Sequence, residues 1–273
     1  MTKTSIGRDT KLCISLASRP GTFGSRFHNH LYEALGLDFI YKASTTTDLP
    51  AAIGGIRALG IRGCGISMPF KEAVIPLIDR LEASARAIDS INTVVNDHGR
   101  LTGYNTDYTA IRSLIARAGI DPATPFILRG SGGMAKAVAA ALRDSGFRHG
   151  TILARNPGTG PALAVRHGFA WQPELNDLAA PLLINASPLG MEGADVAALA
   201  FPEDRIQACA IAFDVVASPL ETPFLARAGD AGKARITGGE VIMLQALEQF
   251  ILYTGVTPTQ AQIEAAAAFA RKP

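Results

Sequence analysis

The run Ser67-Met68-Pro69-Phe70-Lys71 puts a basic side chain at an unfavourable position. It reads as a strand end, a proline and the first turn of a helix. A helix start carries partial positive charge and favours anions, so Lys71 does nothing for the helix there. That misplacement points to a chemical role, because a desolvated amine can exchange a proton near neutral pH. A carboxylate occupies a comparable junction in Asn105-Thr106-Asp107. From residue physics alone Asp107 reads as a helix cap, and Asn92-Thr93 read as turn residues. Spacing by itself does not bring Lys71 and Asp107 together.

A second chemical pattern lies in Phe126-Ile127-Leu128-Arg129-Gly130-Ser131-Gly132-Gly133-Met134-Ala135. A short apolar run ends in glycines, and Met134, Val138, Ala141 and Leu142 then repeat at helical spacing. Strand, glycine turn and helix in that order match the G-x-G-x-x-G/A dinucleotide pattern at Gly130, Gly132 and Ala135. Gly130 permits the turn, Gly132 admits a pyrophosphate, and Ala135 lets the helix lie close to the strand. Free N–H groups at the helix start can bind the anion. The next apolar run, Thr151-Ile152-Leu153-Ala154-Arg155-Asn156, ends about 20 residues further on, where NAD-binding chains carry Asp or Glu. Arg155 stands there instead. A carboxylate would repel a ribose 2′-phosphate, whereas a guanidinium offers it forked donors. The cofactor expected is therefore NADP. A solvated arginine at a strand end is the plain alternative.

These residues need a scaffold, and alternation of strand and helix supplies it. The spacing predicts a strand over Lys11 to Ala17. A helix from about Ser25 follows, with Phe27, Leu31 and Leu35 on one face and Gly36 as its stop. Further strands fall at Phe39 to Ala43 and Gly63 to Met68, with helices near Leu49 to Leu59 and Lys71 to Leu81. Thr93 to Asn96 and Leu101 to Tyr104 flank the hairpin signal Asp97-His98-Gly99, so this portion is a mixed α/β layer. A helix with Ile111, Leu114, Ile115 and Ala118 leads to a turn over Asp121 to Pro125. Strands near Phe126, Thr151, Leu182, Ala210 and Arg235 then alternate with helices, implying a parallel sheet. Helices from about Glu240 to Tyr253 and Pro258 to Ala270 close the chain.

Bulk properties narrow the function classes. The 273 residues suffice for two ordinary domains. Net charge is +2 with no basic cluster, which argues against a nucleic-acid partner. No apolar stretch approaches a membrane span, and the polar start, Met1 to Lys11, lacks a signal-peptide core. A cytoplasmic home is expected. Cys13, Cys64 and Cys209 lie in or beside apolar runs and read as buried small hydrophobes. The histidines show no metal-ligand spacing, so no metal is expected.

Across nearly its whole length the chain resembles the shikimate dehydrogenase family, and within it the shikimate-dehydrogenase-like subgroup. The matching segments are Phe27-His28-Asn29, Met68-Pro69-Phe70-Lys71, Ile91-Asn92-Thr93, Asn105-Thr106-Asp107, Gly130-Ser131-Gly132-Gly133, Ala154-Arg155-Asn156, Asn185-Ala186-Ser187, Glu221-Thr222-Pro223-Phe224 and Gln245-Ala246. The resemblance implies an α/β fold in which residues 1–106 and 241–273 form the substrate-binding catalytic domain. Residues 107–240 would form a Rossmann NADP-binding domain, and the C-terminal helices would return to the first domain. It implies Lys71 and Asp107 as the catalytic pair, with Asn92, Asp107 and Gln245 on ring hydroxyls. Ser67 and Thr22 would bind substrate as well. Gly130, Ser131, Gly132, Gly133, Met134, Ala135, Ala154, Arg155, Asn156, Asn185 and Ser187 would bind NADP. Substrate would be held against nicotinamide in the interdomain cleft, with Gln245 helping to close it. The implied reaction is reversible hydride transfer between NADP(H) and shikimate/3-dehydroshikimate, a step of aromatic amino acid biosynthesis by the chorismate pathway, or a related polyol acid. The resemblance is compatible with a homodimer.

The chain also departs from the family pattern. Two serines that bind the substrate carboxylate in the family correspond to Thr22 and Gly24, a Tyr to Ala217, and a Thr to Ser67. A hydroxyl lost from a charged group costs roughly 1.5–3 kcal/mol. Ser18, Ser25 and Arg19 are the candidates to compensate. A quinate or aminoshikimate dehydrogenase is one alternative, although Arg155 argues against NAD. A non-catalytic NADP-binding regulatory protein is another, but a pure binder needs neither Lys71 nor Asp107.

Overall fold

A computed structural model describes residues 6–272. Part of the polar start and Pro273 lie outside the described residues. The chain divides into two units, residues 1–106 with 243–273, and residues 107–242.

The first unit opens with β1 (Lys11–Leu16), α1 (Phe23–Ala34), β2 (Phe39–Ser44), α2 (Leu49–Ala58) and β3 (Gly63–Ile66). It continues through α3 (Phe70–Ala73), a 3₁₀ turn over Ile75–Leu77, β4 (Arg80–Leu81), α4 (Ala83–Arg86), β5 (Thr93–Asp97) and β6 (Arg100–Tyr104). Its sheet has the order β2-β1-β3-β5-β6-β4. Strand β1 runs parallel to β2 and β3, and β5 runs antiparallel to β3 and β6. The expected mixed layer is present.

Local chemistry explains the elements. Phe27 and Leu31 share the buried face of α1, and Gly36, at φ 64°, ends the segment in the left-handed region. The Asp48 carboxylate caps α2 by accepting the Ala51 N–H at 2.9 Å.

The expected helix over Lys71 to Leu81 does not form. It stops after one turn, and Arg80 and Leu81 join the sheet opposite Thr102 and Gly103. Pro76 has no N–H to continue the helix. Asp79, which accepts the Leu101 N–H at 2.7 Å and pairs with Arg57, draws the following residues onto β6.

The second unit holds α5 (Thr106–Arg117, from its second residue), β7 (Phe126–Arg129), α6 (Gly133–Asp144), β8 (Gly150–Leu153), α7 (Thr159–His167) and β9 (Ala170–Gln172). Then come β10 (Leu182–Asn185), α8 (Glu203–Ala208), β11 (Ile211–Asp214), α9 (Pro223–Asp230) and β12 (Ala234–Ile236). The sheet is wholly parallel in the order β12-β11-β10-β7-β8-β9. That is the doubly wound dinucleotide-binding order, with its switch point between β7 and β10. Sequence spacing does not predict the edge strand β9, because three residues are too few to show a period of two. The apolar residues Ile127, Leu153, Leu183 and Ala212 from successive strands pack with Phe201, Ile206 and Phe224.

The chain closes with α10 (Gly238–Thr254), which enters the first unit at Met243, and α11 (Gln260–Ala270). Phe250 and Tyr253 of α10 and Ile263 of α11 pack with Phe27, Leu31 and Tyr32. A Cβ on Gly63 would lie 2.2 Å from the Tyr253 ring, so the glycine of β3 is what lets α10 approach the sheet. The opposite sheet face is covered by Ile53, Ile56 and Val74.

Candidate active site

In the first unit the polar residues gather where β3, β5 and α10 meet. Ser67 follows β3; its N–H donates to the Leu16 carbonyl at 2.9 Å, and its carbonyl accepts the Phe70 N–H that opens α3. Lys71 lies on that turn, and its carbonyl accepts the Ile91 N–H at 2.9 Å. The next residue along from Ile91, Asn92, is buried. Its Oδ1 accepts the Thr106 N–H at 2.8 Å and the Thr93 hydroxyl at 2.9 Å, and its Nδ2 donates to Gln245 Oε1 at 3.3 Å. One turn along α10, Gln249 donates to Thr93 Oγ1 at 2.9 Å and to the Asn92 carbonyl at 3.2 Å. These bonds fix two carboxamides, those of Asn92 and Gln245, beside the Lys71 backbone. Thr22 precedes α1 and is exposed; its hydroxyl makes no capping bond. At Gly24 the atoms nearest to a Cβ would be those of Tyr41, its hydroxyl oxygen at 3.7 Å. His28 donates from Nδ1 to the Gly24 carbonyl at 2.8 Å, and burial pushes its pKa down to about 4, so it is a neutral core residue.

The second unit contributes an anion cradle. Gly130 has φ 117°, and a Cβ there would lie 2.6 Å from the Ala186 carbonyl oxygen. Only glycine fits that position. Gly132 precedes α6 without a side-chain cap, and a Cβ on Gly132 or Gly133 would meet nothing within 4 Å. The first N–H groups of α6, including those of Gly133 and Met134, have no intrahelical carbonyl to bond. They face an open approach with the positive end of the helix behind them. Ala135 is fully buried, as close packing of α6 requires. Ser131 and Thr159 join their hydroxyl oxygens at 2.7 Å, tying the glycine turn to the start of α7. Ala154 is buried and Arg155 exposed just beyond β8. Asn156 Oδ1 accepts the Gly158 and Thr159 N–H groups at 2.9 and 3.0 Å. An open glycine turn, an uncapped helix start and an exposed arginine are the groups a pyrophosphate and a ribose phosphate require, so this unit fits NADP. Asp107 sits in the first turn of α5 and is buried.

Residues 22–94 match the model of the shikimate dehydrogenase substrate binding domain. The chain is 52% identical over 267 residues to the shikimate dehydrogenase-like protein of Haemophilus influenzae, covering 97% of this chain and 98% of that one. The chain belongs to the shikimate dehydrogenase family. The shikimate dehydrogenase (NADP(+)) of Prosthecochloris aestuarii is 36% identical, covering 84% of this chain and 86% of its own length. Among solved structures, the shikimate 5-dehydrogenase of Thermus thermophilus in complex with NADP(H) and shikimate aligns with a TM-score of 0.84 at 32% identity. The alignment covers 95% of this chain and 99% of that chain.

Asn185, expected at the cofactor, has a different role and is fully buried. Both of its side-chain N–H groups are bonded, to the Leu189 carbonyl and to Asp214 Oδ1, each at 3.0 Å. Its Oδ1 accepts the Ser187 N–H at 3.1 Å and the Ser187 hydroxyl at 2.6 Å. Asn185 therefore shapes the loop after β10 and has no donor left for a ligand. The sequence reading does not find Gln249, Thr93 and Thr106 as members of the Asn92 network; the four-residue step from Gln245 to Gln249 is the one signal available for it. Nor does it find Asp214, whose carboxylate accepts from Asn185, from the Val216 N–H at 3.0 Å and from the Thr222 hydroxyl at 2.7 Å. Among the described residues no group of three or more His, Cys, Asp or Glu could hold a metal ion, and no helix is long and apolar enough to cross a membrane.

Asp214 makes stability depend on pH. Burial pushes its pKa up from 3.8 to about 6, against the pull of its three donors. Folding thus takes up a proton between those two values. The group's contribution is fully present below pH 3.8, falls as pH rises to about 6, and is level above. The decline is of order 3 kcal/mol. Urea unfolding of the wild type and Asp214→Asn should diverge progressively as pH rises through this window; a stability difference independent of pH contradicts the assignment.

Proposed function

We propose that this chain is an NADP-dependent oxidoreductase of the shikimate dehydrogenase type, interconverting shikimate and 3-dehydroshikimate or a closely related cyclic polyol acid. The observation that carries the reading is the network centred on Asn92. It fixes two carboxamides, suited to ring hydroxyls, next to the backbone bond that joins Ile91 to Lys71. The open cradle at Gly132 and Gly133, with Arg155 beyond β8, supports the cofactor.

In the oxidative direction a secondary alcohol loses a proton from oxygen and a hydride from carbon. NADP, when bound, supplies the hydride acceptor. Lys71 and Asp107 manage the proton: between them they take it from the hydroxyl on oxidation and return it on reduction. The ammonium also offsets negative charge growing on that oxygen. Asn92 and Gln245 orient the ring hydroxyls with Asp107, while Ser67 and the uncapped hydroxyl of Thr22 serve the carboxylate. Gly24 and Ala217 bring no hydroxyl, so the carboxylate is held by fewer donors than in the family pattern and shikimate binds correspondingly weakly. Arg155 receives the 2′-phosphate. We place the reaction in the cytoplasm; the three cysteines are buried free thiols, in keeping with a reducing compartment.

Protein mixed with NADP and shikimate should raise the absorbance of reduced nicotinamide, and absence of turnover with any hydroxylated ring acid would overturn the reading. Arg155→Asp should cost NADP roughly 10–100-fold in kcat/KM while leaving NAD unharmed, because it replaces a charge-assisted contact with repulsion. An unchanged NADP-to-NAD ratio would mean that other groups hold the phosphate.

A further inference from the structure

Arg129 is the last residue of β7, immediately before Gly130. Its guanidinium carbon lies 5.1 Å from the centre of the Phe201 ring. Its Nε is buried and has no hydrogen-bond partner. Several other arginines pair with acids, among them Arg57 with Asp79, Arg143 with Asp144, and Arg235 with Glu221. No carboxylate pairs with Arg129 or with Arg155 among the described residues. The two share one end of the sheet. Arg129 is opposite Leu153 in the parallel β7–β8 ladder, and Arg155 follows two residues later. Burial first, and then the Arg155 charge, lower the Arg129 pKa.

Two guanidinium groups held near each other, one of them half-buried, are costly unless an anion joins them. The groups beside them are the glycine turn and the α7 start, joined through Ser131 and Thr159. We propose that Arg129 is a second ligand of the NADP 2′-phosphate and, with Arg155, determines the choice of NADP over NAD. The assignment rests on NADP being the cofactor of this unit. A dianionic phosphate has acceptors enough for two forked donors. The Phe201 stack and the strand backbone orient Arg129 in advance, so little side-chain freedom is lost on binding. Arg155 lies exposed just beyond β8.

Dissociation constants for NADPH and NADH, followed by nicotinamide fluorescence on the full-length protein, test this. Two variants serve. Arg129→Met keeps an unbranched stem over Phe201 and removes the charge; Arg129→Lys keeps the charge and removes the fork. Arg129→Met should weaken NADPH by about 10–100-fold and leave NADH, which has no 2′-phosphate, within about twofold. Arg129→Lys should recover part of the loss, and 2′,5′-ADP should lose its advantage over 5′-ADP as a competitor in Arg129→Met. If the wild type prefers NADPH and Arg129→Met retains that preference, Arg129 is no phosphate ligand and the NADP reading stands. Equal weakening of both dinucleotides makes Arg129 a structural residue and also rejects the proposal. A wild type that binds neither dinucleotide removes the NADP reading and this assignment together.

Discussion

Lys71→Ala should lower kcat for shikimate oxidation about a thousandfold and leave the NADPH dissociation constant unchanged. Proton transfer by a positioned side chain contributes roughly 10²–10⁴-fold to turnover, and the ammonium adds electrostatic stabilisation of charge on the reacting oxygen. The backbone anchor of this turn survives the change. Lys71 reaches the sheet through its backbone carbonyl, which accepts from Ile91 whatever the side chain. Lys71 belongs to the first unit and the glycine turn to the second, so dinucleotide affinity provides an internal control. Steady-state kinetics across pH, with a parallel NADPH titration, give the answer. A variant within about tenfold of wild-type kcat would remove Lys71 from the chemistry, and loss of NADPH binding would mean that the substitution acts on structure.

The second large effect is expected at Gly130. Gly130→Ala should destabilise the protein by about 3 kcal/mol and weaken NADPH by roughly two powers of ten or more. Two costs add. At φ 117° any side chain is strained. The new Cβ would also stand 2.6 Å from the Ala186 carbonyl oxygen and 2.9 Å from its carbon, both backbone atoms. That backbone is itself held, because Asn185 binds Ser187 and Leu189 and Asp214 holds Asn185. Strain that cannot be relieved at the β10 loop must displace the glycine turn, and with it the N–H groups that meet the pyrophosphate. Thermal unfolding and NADPH titration of the variant measure both costs. Wild-type stability with wild-type affinity would show that the loop yields freely. Gly132→Ala provides the contrast: its Cβ meets no atom within 4 Å, so it should cost affinity for the dinucleotide with little loss of stability.

The features behind these two effects differ in how far a single chain reveals them. The Phe126–Ala135 segment is legible because its meaning is local: an apolar run, a turn that only glycine can make and a helical repeat follow from neighbouring residues alone. The parallel alternation after it, the mixed layer before it and the closing helices are legible for the same reason. Lys71 to Leu81 shows the limit. Its apolar spacing suits a helix, yet pairing with β6 and the Asp79 bonds outweigh that preference, and neither partner is visible within the segment.

The site separates along the same line. Residue types and order, without coordinates, determine that the chain carries a dinucleotide turn, an arginine in place of the usual acid, and an amine and a carboxylate at strand-to-helix junctions. Tertiary structure alone decides which polar groups bond within the protein and which keep their donors for a ligand. Asn92 meets Gln245 across most of the chain, Asn185 is fully bonded inside its own unit, and Arg129 is left beside Arg155 without an acid. The physical reason is that periodicity reports how a side chain faces its own element, whereas partnership depends on which remote element packs against it.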